Sequence, residues 1–143
     1  MIRNFVLLFV FLAALSMVNA FPSQLVKRQA SFGRCPGFHD ILIITNVTLN
    51  PDPPKSNSQL EVKVSAKTND DIVNGTLFNL EMFGETDGVF SNFTDICATI
   101  ECPTKVFDFD KTYDLGGLPS SYGIKVAILY QSSFSACGYT HVQ

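Results

Sequence analysis

The chain has 143 residues, 46% of them hydrophobic and only 16% charged, with a formal net charge of −3. Taking away residues 1–28, read below as a leader, removes Arg3, Lys27 and Arg28; 7 basic and 13 acidic residues remain, a net charge of −6 on 115 residues. That balance excludes nucleic acid as a partner, because binding it needs clustered Lys and Arg to neutralise phosphates, and the length suits one domain with a core of its own.

Residues 1–20 read as a signal peptide. Arg3 gives a positive start, Phe5 to Leu15 is an almost unbroken apolar run, and Val18-Asn19-Ala20 places small residues at −3 and −1 of a cleavage site. The run to Val18 is shorter than the roughly 20 residues a spanning helix needs, which favours cleavage over a membrane anchor. Lys27-Arg28 reads either as a dibasic processing site that closes a pro-segment over 21–28, or as two solvated charges at a frayed terminus. Residues 29–143 then form the domain. The expected location is secreted or lumenal, endosome or vacuole included.

Within 29–143 nearly every apolar segment has period two, which argues for strands. Ile41, Ile43, Val47 and Leu49 read as one face of a first strand, opposite Asn46 and Thr48, and Asn50-Pro51-Asp52-Pro53-Pro54 stops it, since proline has no N–H for a ladder. Leu60, Val62, Val64 and Ala66 alternate with Glu61, Lys63, Ser65 and Lys67, and Asn69-Asp70-Asp71 reads as the turn that follows. Phe78, Leu80 and Met82 then alternate with Asn79, Glu81 and Phe83. Val89 to Ile96 is a further strand. Phe107 and Phe109 fall on one face, Asp108 and Asp110 on the other. After the Gly116-Gly117-Leu118-Pro119 loop, Tyr122, Ile124, Val126, Ile128 and Tyr130 make a long inward row, and a last strand covers about Phe134 to Val142. About seven short strands with regular turns predict an all-β, immunoglobulin-like antiparallel sandwich, although no tryptophan is present to pack on an antibody-like disulfide.

Three sequons, at Asn46, Asn74 and Asn92, agree with export and predict glycans that point to water. The four cysteines allow three pairings. Local geometry favours Cys97 with Cys102, because so short a loop can turn back on itself, and leaves Cys35 to pair with Cys137. Metal or redox chemistry at the close pair is disfavoured: there is no second pair, no Cys-x-x-Cys, and the compartment is oxidising.

Nothing in the chain reads as catalytic. Its two histidines, His39 and His141, lie near the ends of the domain, no nucleophile elbow or glycine-rich phosphate loop occurs, and Asp70-Asp71 and Asp108/Asp110 are placed as ordinary solvated carboxylates. No enzyme and no cofactor are expected. What stands out is apolar excess, with nine Phe and four Tyr after residue 29. A packed core accounts for much of it; a slot for acyl chains between the sheets is the functional alternative.

Several residues together resemble the ML-domain, or lipid-recognition, family, which includes a secreted sterol carrier, Toll-receptor co-receptors and fungal phosphatidylglycerol/phosphatidylinositol transfer proteins. They are Cys35-Pro36-Gly37, Leu49-Asn50-Pro51-Asp52-Pro53-Pro54, Phe93-Thr94-Asp95-Ile96-Cys97 followed by Cys102-Pro103, and Cys137. The fungal phospholipid-transfer branch is the most similar; the further early cysteine pair of the sterol carriers is absent. The resemblance implies a sandwich whose sheets part around lipid tails, a phospholipid or sterol ligand, transient contact with membranes and a monomeric carrier. Strand parity then puts Val62, Val64, Phe78, Leu80, Met82, Phe107, Phe109, Tyr122, Ile124, Val126 and Ile128 on the cavity wall, given the right register. A sterol carrier of the same fold, and a secreted interaction module or lipid-sensing effector that docks on a receptor, stay open as alternatives.

Overall fold

The computed structural model describes residues 30–85 and 87–143. The signal peptide and pro-segment expected over 1–28 lie outside the described residues. Eight strands follow in chain order: β1 (Leu42–Ile43), β2 (Asn46–Asn50), β3 (Gln59–Ile72), β4 (Leu77–Phe83), β5 (Gly88–Asp95), β6 (Thr104–Asp114), β7 (Tyr122–Tyr130) and β8 (Ser133–Val142). One 3₁₀ turn, Ile96–Ala98, lies between β5 and β6.

The strands form a five-stranded sheet in the order β1-β8-β7-β4-β5 and a three-stranded sheet in the order β2-β3-β6. All neighbours are antiparallel except β1 and β8, which run parallel. The expected all-β sandwich is therefore present, with a parallel pair at one edge of an otherwise antiparallel fold.

Alternation drives the packing. In β3, Leu60, Val62 and Val64 are buried, while Glu61 and Lys63 face water and pair with each other at 3.0 Å. Across the core stand Phe78, Leu80 and Met82 of β4 and Ile124, Val126 and Ile128 of β7, each at most 1% exposed. Burying each such side chain contributes roughly 1.5–3 kcal/mol, so these rows are the main drive to fold. The β7–β8 hairpin turns through Gln131 and Ser132, with φ of 49° and 64°, the left-handed pair that a two-residue hairpin needs to match strand twist.

Three expectations need correction. The first strand is two strands: Leu42–Ile43 pairs with β8 in one sheet and Asn46–Asn50 with β3 in the other. The chain crosses between sheets at Ile44 and Thr45, so parity flips there. Ile44, only 1% exposed, enters the core, while Ile41 packs against a second cluster around Cys35, Ala127 and Cys137. The stretch Asn69-Asp70-Asp71 is no turn; it belongs to β3, whose ladder with β6 slips between Lys67 and Ile72, and the Thr68 hydroxyl bonds the Asp70 carbonyl at 2.8 Å there. Tyr130 leaves the inward row, because the β7–β8 register shifts after Ile128, and it is 38% exposed.

Both disulfides are present. Cys35–Cys137 and Cys97–Cys102 have Cα separations of 5.9 Å and 5.6 Å. The first ties the segment ahead of β1 to the outer face of β8, where Phe38 and Phe134 also meet at 4.7 Å. The second closes the loop that leads from β5 to β6, which begins with the Asp95 carboxylate accepting from the Cys97 N–H at 3.0 Å.

Candidate functional site

The inner faces of the two sheets are the apolar interior of the molecule. Val64 lies directly opposite Phe109, Leu80 opposite Val126 and Phe78 opposite Ile128 in their ladders, so paired residues share the inward face. All eleven residues expected on a cavity wall are buried and belong to one continuous core cluster. Phe78 touches both aromatics of β6, with ring centroids 4.4 Å from Phe109 and 5.9 Å from Phe107. The rings from the two sheets are thus in contact.

The two lateral sides of the sandwich differ. On one, the chain itself passes from sheet to sheet between β1 and β2. On the other, edge strands β5 and β6 face each other without a shared ladder. The loop 96–103, closed by Cys97–Cys102, joins one end of β5 to β6, and along the strands side chains bridge the gap. Phe90 of β5 meets Tyr113 of β6 edge to face at 5.8 Å, and the Lys111 ammonium of β6 donates to the Thr94 hydroxyl of β5 at 2.8 Å.

Lys111 is the residue that parity reasoning overlooks. It pairs with Val62, a core residue, and so shares the inward face of β6 with Phe107, Phe109 and Tyr113. Its Nζ lies 5.3 Å from the centre of the Tyr113 ring. The Tyr113 hydroxyl is sealed from solvent and has no partner at hydrogen-bonding geometry. Burial pushes its pKa up, and the nearby Thr94 hydroxyl counters this only in part. Continuing the alternation past Phe109 reaches both residues, which is the signal that would have found them.

Two open ends flank the core. A cavity of about 280 Å³ at one end is lined by Thr68, Asp71, Ile72, Thr76, Ile128 and Tyr130 among others, and one of about 320 Å³ at the other by Ala30, Asp52, Pro53, Thr140 and His141. Near this second end the Tyr122 hydroxyl donates to the Pro54 carbonyl at 2.9 Å, which pins the proline-rich stretch to the start of β7. Burial, with a further push from the charge of Asp52, holds the Tyr122 pKa above its ordinary value. Among the described residues no three His, Cys, Asp or Glu side chains gather into a group that could hold a metal.

The sequons divide. Asn46 and Asn74 are exposed, whereas Asn92 falls on the inward-facing row of β5, opposite Leu80, and is half-buried. Its side-chain oxygen accepts from Thr94 at 3.2 Å.

A sandwich with an apolar interior and two disulfides suits a binding domain, and comparison with known families decides which. Residues 29–137 match the ML domain. The chain belongs to the ML-domain family. That is a lipid-recognition family and not a family of enzymes, and its immunoglobulin-like β-sandwich is the architecture described above. A phosphatidylglycerol/phosphatidylinositol transfer protein of Pyricularia oryzae is 34% identical over 90 residues, which cover 57% of this chain. The matched region spans about half of that relative, 51% of its length.

Proposed function

We propose that this ML-domain protein is a secreted, monomeric carrier that binds phospholipid between its sheets and transfers it between membranes, with phosphatidylglycerol or phosphatidylinositol as cargo. The observation that carries the reading is the set of apolar rows that the two inner faces turn toward each other, adjoining a side where edge strands β5 and β6 share no ladder. Family membership and the phospholipids in the relative's name support the cargo. Two disulfides suit the oxidising conditions of the export route, and the domain would begin after residue 28.

The physics of transfer needs no energy source. Exposing an acyl chain to water costs about 0.8 kcal/mol per CH₂, while moving it from bilayer to an apolar slot exchanges one dry medium for another. A carrier therefore has to shield the tail on its way out, and edge strands that share no backbone ladder can part without breaking one. The eleven wall residues would then line the tail. Native mass spectrometry of the purified mature protein, with lipid extraction and a vesicle-to-vesicle assay using labelled phosphatidylglycerol and labelled sterol, tests this. Bound phospholipid and its exchange are expected; sterol exchange alone would reassign the cargo, and no lipid with no exchange would sink the proposal.

A further inference from the structure

The lysines of this domain are not used alike. Lys63, Lys105 and Lys125 each pair with a carboxylate: Glu61 and Asp110, Asp71, and Glu81 respectively. Lys111 faces inward, and among the described residues its ammonium meets no carboxylate within 4 Å, only the Thr94 hydroxyl and the face of Tyr113. Lys55 and Lys67 also lack a carboxylate but lie exposed, whereas Lys111 is half-buried on the inward row of a core strand, and such a breach of pattern marks function more often than fold.

A second observation stands beside it. The Tyr113 hydroxyl, on a side chain only 4% exposed, is a buried donor without a partner. Unpaired buried hydroxyls are uncommon and cost free energy until something accepts from them. The ammonium can only donate and the phenol can donate, so one acceptor that carries negative charge would satisfy both.

We propose that Lys111, Tyr113 and Thr94 form an anion subsite at the β5–β6 side, which holds the phosphodiester of the carried lipid. This rests on the carrier function proposed above and adds the place of the headgroup. The position suits a molecule with a charged head and apolar tails. Thr94 lies directly across the ladder from Phe78, and Phe109 precedes Lys111 by one inward position, so the polar trio adjoins the Phe78–Phe109 pair at 4.4 Å. A phosphate seated there leaves its acyl chains pointing along the inner rows. Lys111 supplies charge-assisted donors, the Tyr113 hydroxyl supplies a neutral one, and Thr94, now bonded to Asn92 at 3.2 Å, keeps the ammonium in register.

The test compares two labelled lipids with the same acyl chains, phosphatidylglycerol and diacylglycerol, in vesicle transfer by the wild-type protein, Lys111→Met, Lys111→Arg and Tyr113→Phe. The readout is the ratio of phosphatidylglycerol to diacylglycerol transfer, which a general loss of folded protein does not change. A charge-assisted hydrogen bond predicts a ratio lowered roughly tenfold or more in Lys111→Met, less in Tyr113→Phe, and largely kept in Lys111→Arg. Should Lys111→Met fail to fold, Lys111→Gln takes its place and the arginine variant still reads out charge. A wild-type ratio in Lys111→Met overturns the subsite and leaves the carrier function standing. Transfer of neither lipid by the wild type overturns both. Free inorganic phosphate that competes with phosphatidylglycerol through Lys111 at millimolar concentration would assign the site to phosphate itself and overturn the lipid-borne headgroup.

Discussion

Removing each disulfide in turn separates two jobs that the fold gives them. Cys35 and Cys137 are 102 residues apart, Cys97 and Cys102 only 5. Loop-closure entropy removed from the unfolded chain is worth about 4.7 kcal/mol for the long loop and about 2 kcal/mol for the short one. Both sulfurs of the long bridge are also buried, with Cys35 3% and Cys137 1% exposed, which adds a packing loss to the first variant. At about 4 °C per kcal/mol for a domain of this size, the melting temperature should fall by about 20 °C for Cys35→Ala with Cys137→Ala, and by about 8 °C for Cys97→Ala with Cys102→Ala. Guanidinium unfolding without reductant, with equal slopes for the variants, supplies the free energies. Lipid transfer, measured where each variant is folded, should rank them the other way. The short bridge shapes the loop that leads from β5 to β6, the two edges of the side proposed to open, whereas the long bridge fastens the outer face of β8. Equal destabilisation, or a larger loss for the short bridge, would refute the entropic argument. Unchanged transfer in Cys97→Ala with Cys102→Ala would refute the division of labour.

A Cβ at Gly138 would stand 2.2 Å from the Ile44 carbonyl oxygen, while one at Gly123 would meet the rings of Phe83 and Tyr139 at 2.8 Å. Backbone yields less than a ring, so Gly138→Ala should destabilise by several times as much as Gly123→Ala in denaturant unfolding; the reverse order would show that β1 is not held against β8 as described. Alkaline titration follows from two tyrosines whose pKa values are raised in the folded state by burial. Their stability contribution is full below the ordinary phenol pKa of about 10 and is lost as pH rises from there through the raised values, because the unfolded chain releases its protons first. Tyr113→Phe should make the fall in unfolding free energy above pH 10 shallower, and an unaltered slope would count against burial as the cause. For the sequons, Asn46 and Asn74 should carry glycans at higher occupancy than the half-buried Asn92, read by peptide mass before and after enzymatic deglycosylation; full occupancy at Asn92 would mean that the β5 edge is more open than it is here.

Most of the inward row is legible in the sequence because large apolar residues recur at every second position in Leu60 to Val64, Phe78 to Met82 and Tyr122 to Ile128, even though Asn79, Gly123 and Ala127 on the other parity are buried as well. The close cysteine pair is legible for a similar reason, since a loop that short leaves few other partners. Alternation fails as a guide where the chain changes sheets. Ile41 to Leu49 reads as one continuous row, yet the crossover at Ile44 and Thr45 reverses which side is inward. It also fails at Asn69 to Asp71, whose polar side chains suggest a turn while β6 still continues the ladder as far as Ile72. Lys111 is the instructive case. Its parity is correct for the core and its chemistry is wrong for it, and a reading that sorts residues by hydrophobicity stops at Phe109 for that reason. A chain under selection for packing alone would have no cause to hold an ammonium without a carboxylate partner beside an unpaired buried hydroxyl on the inner face of an edge strand. Position and chemistry disagree there, and that disagreement is the ground on which the headgroup subsite is proposed.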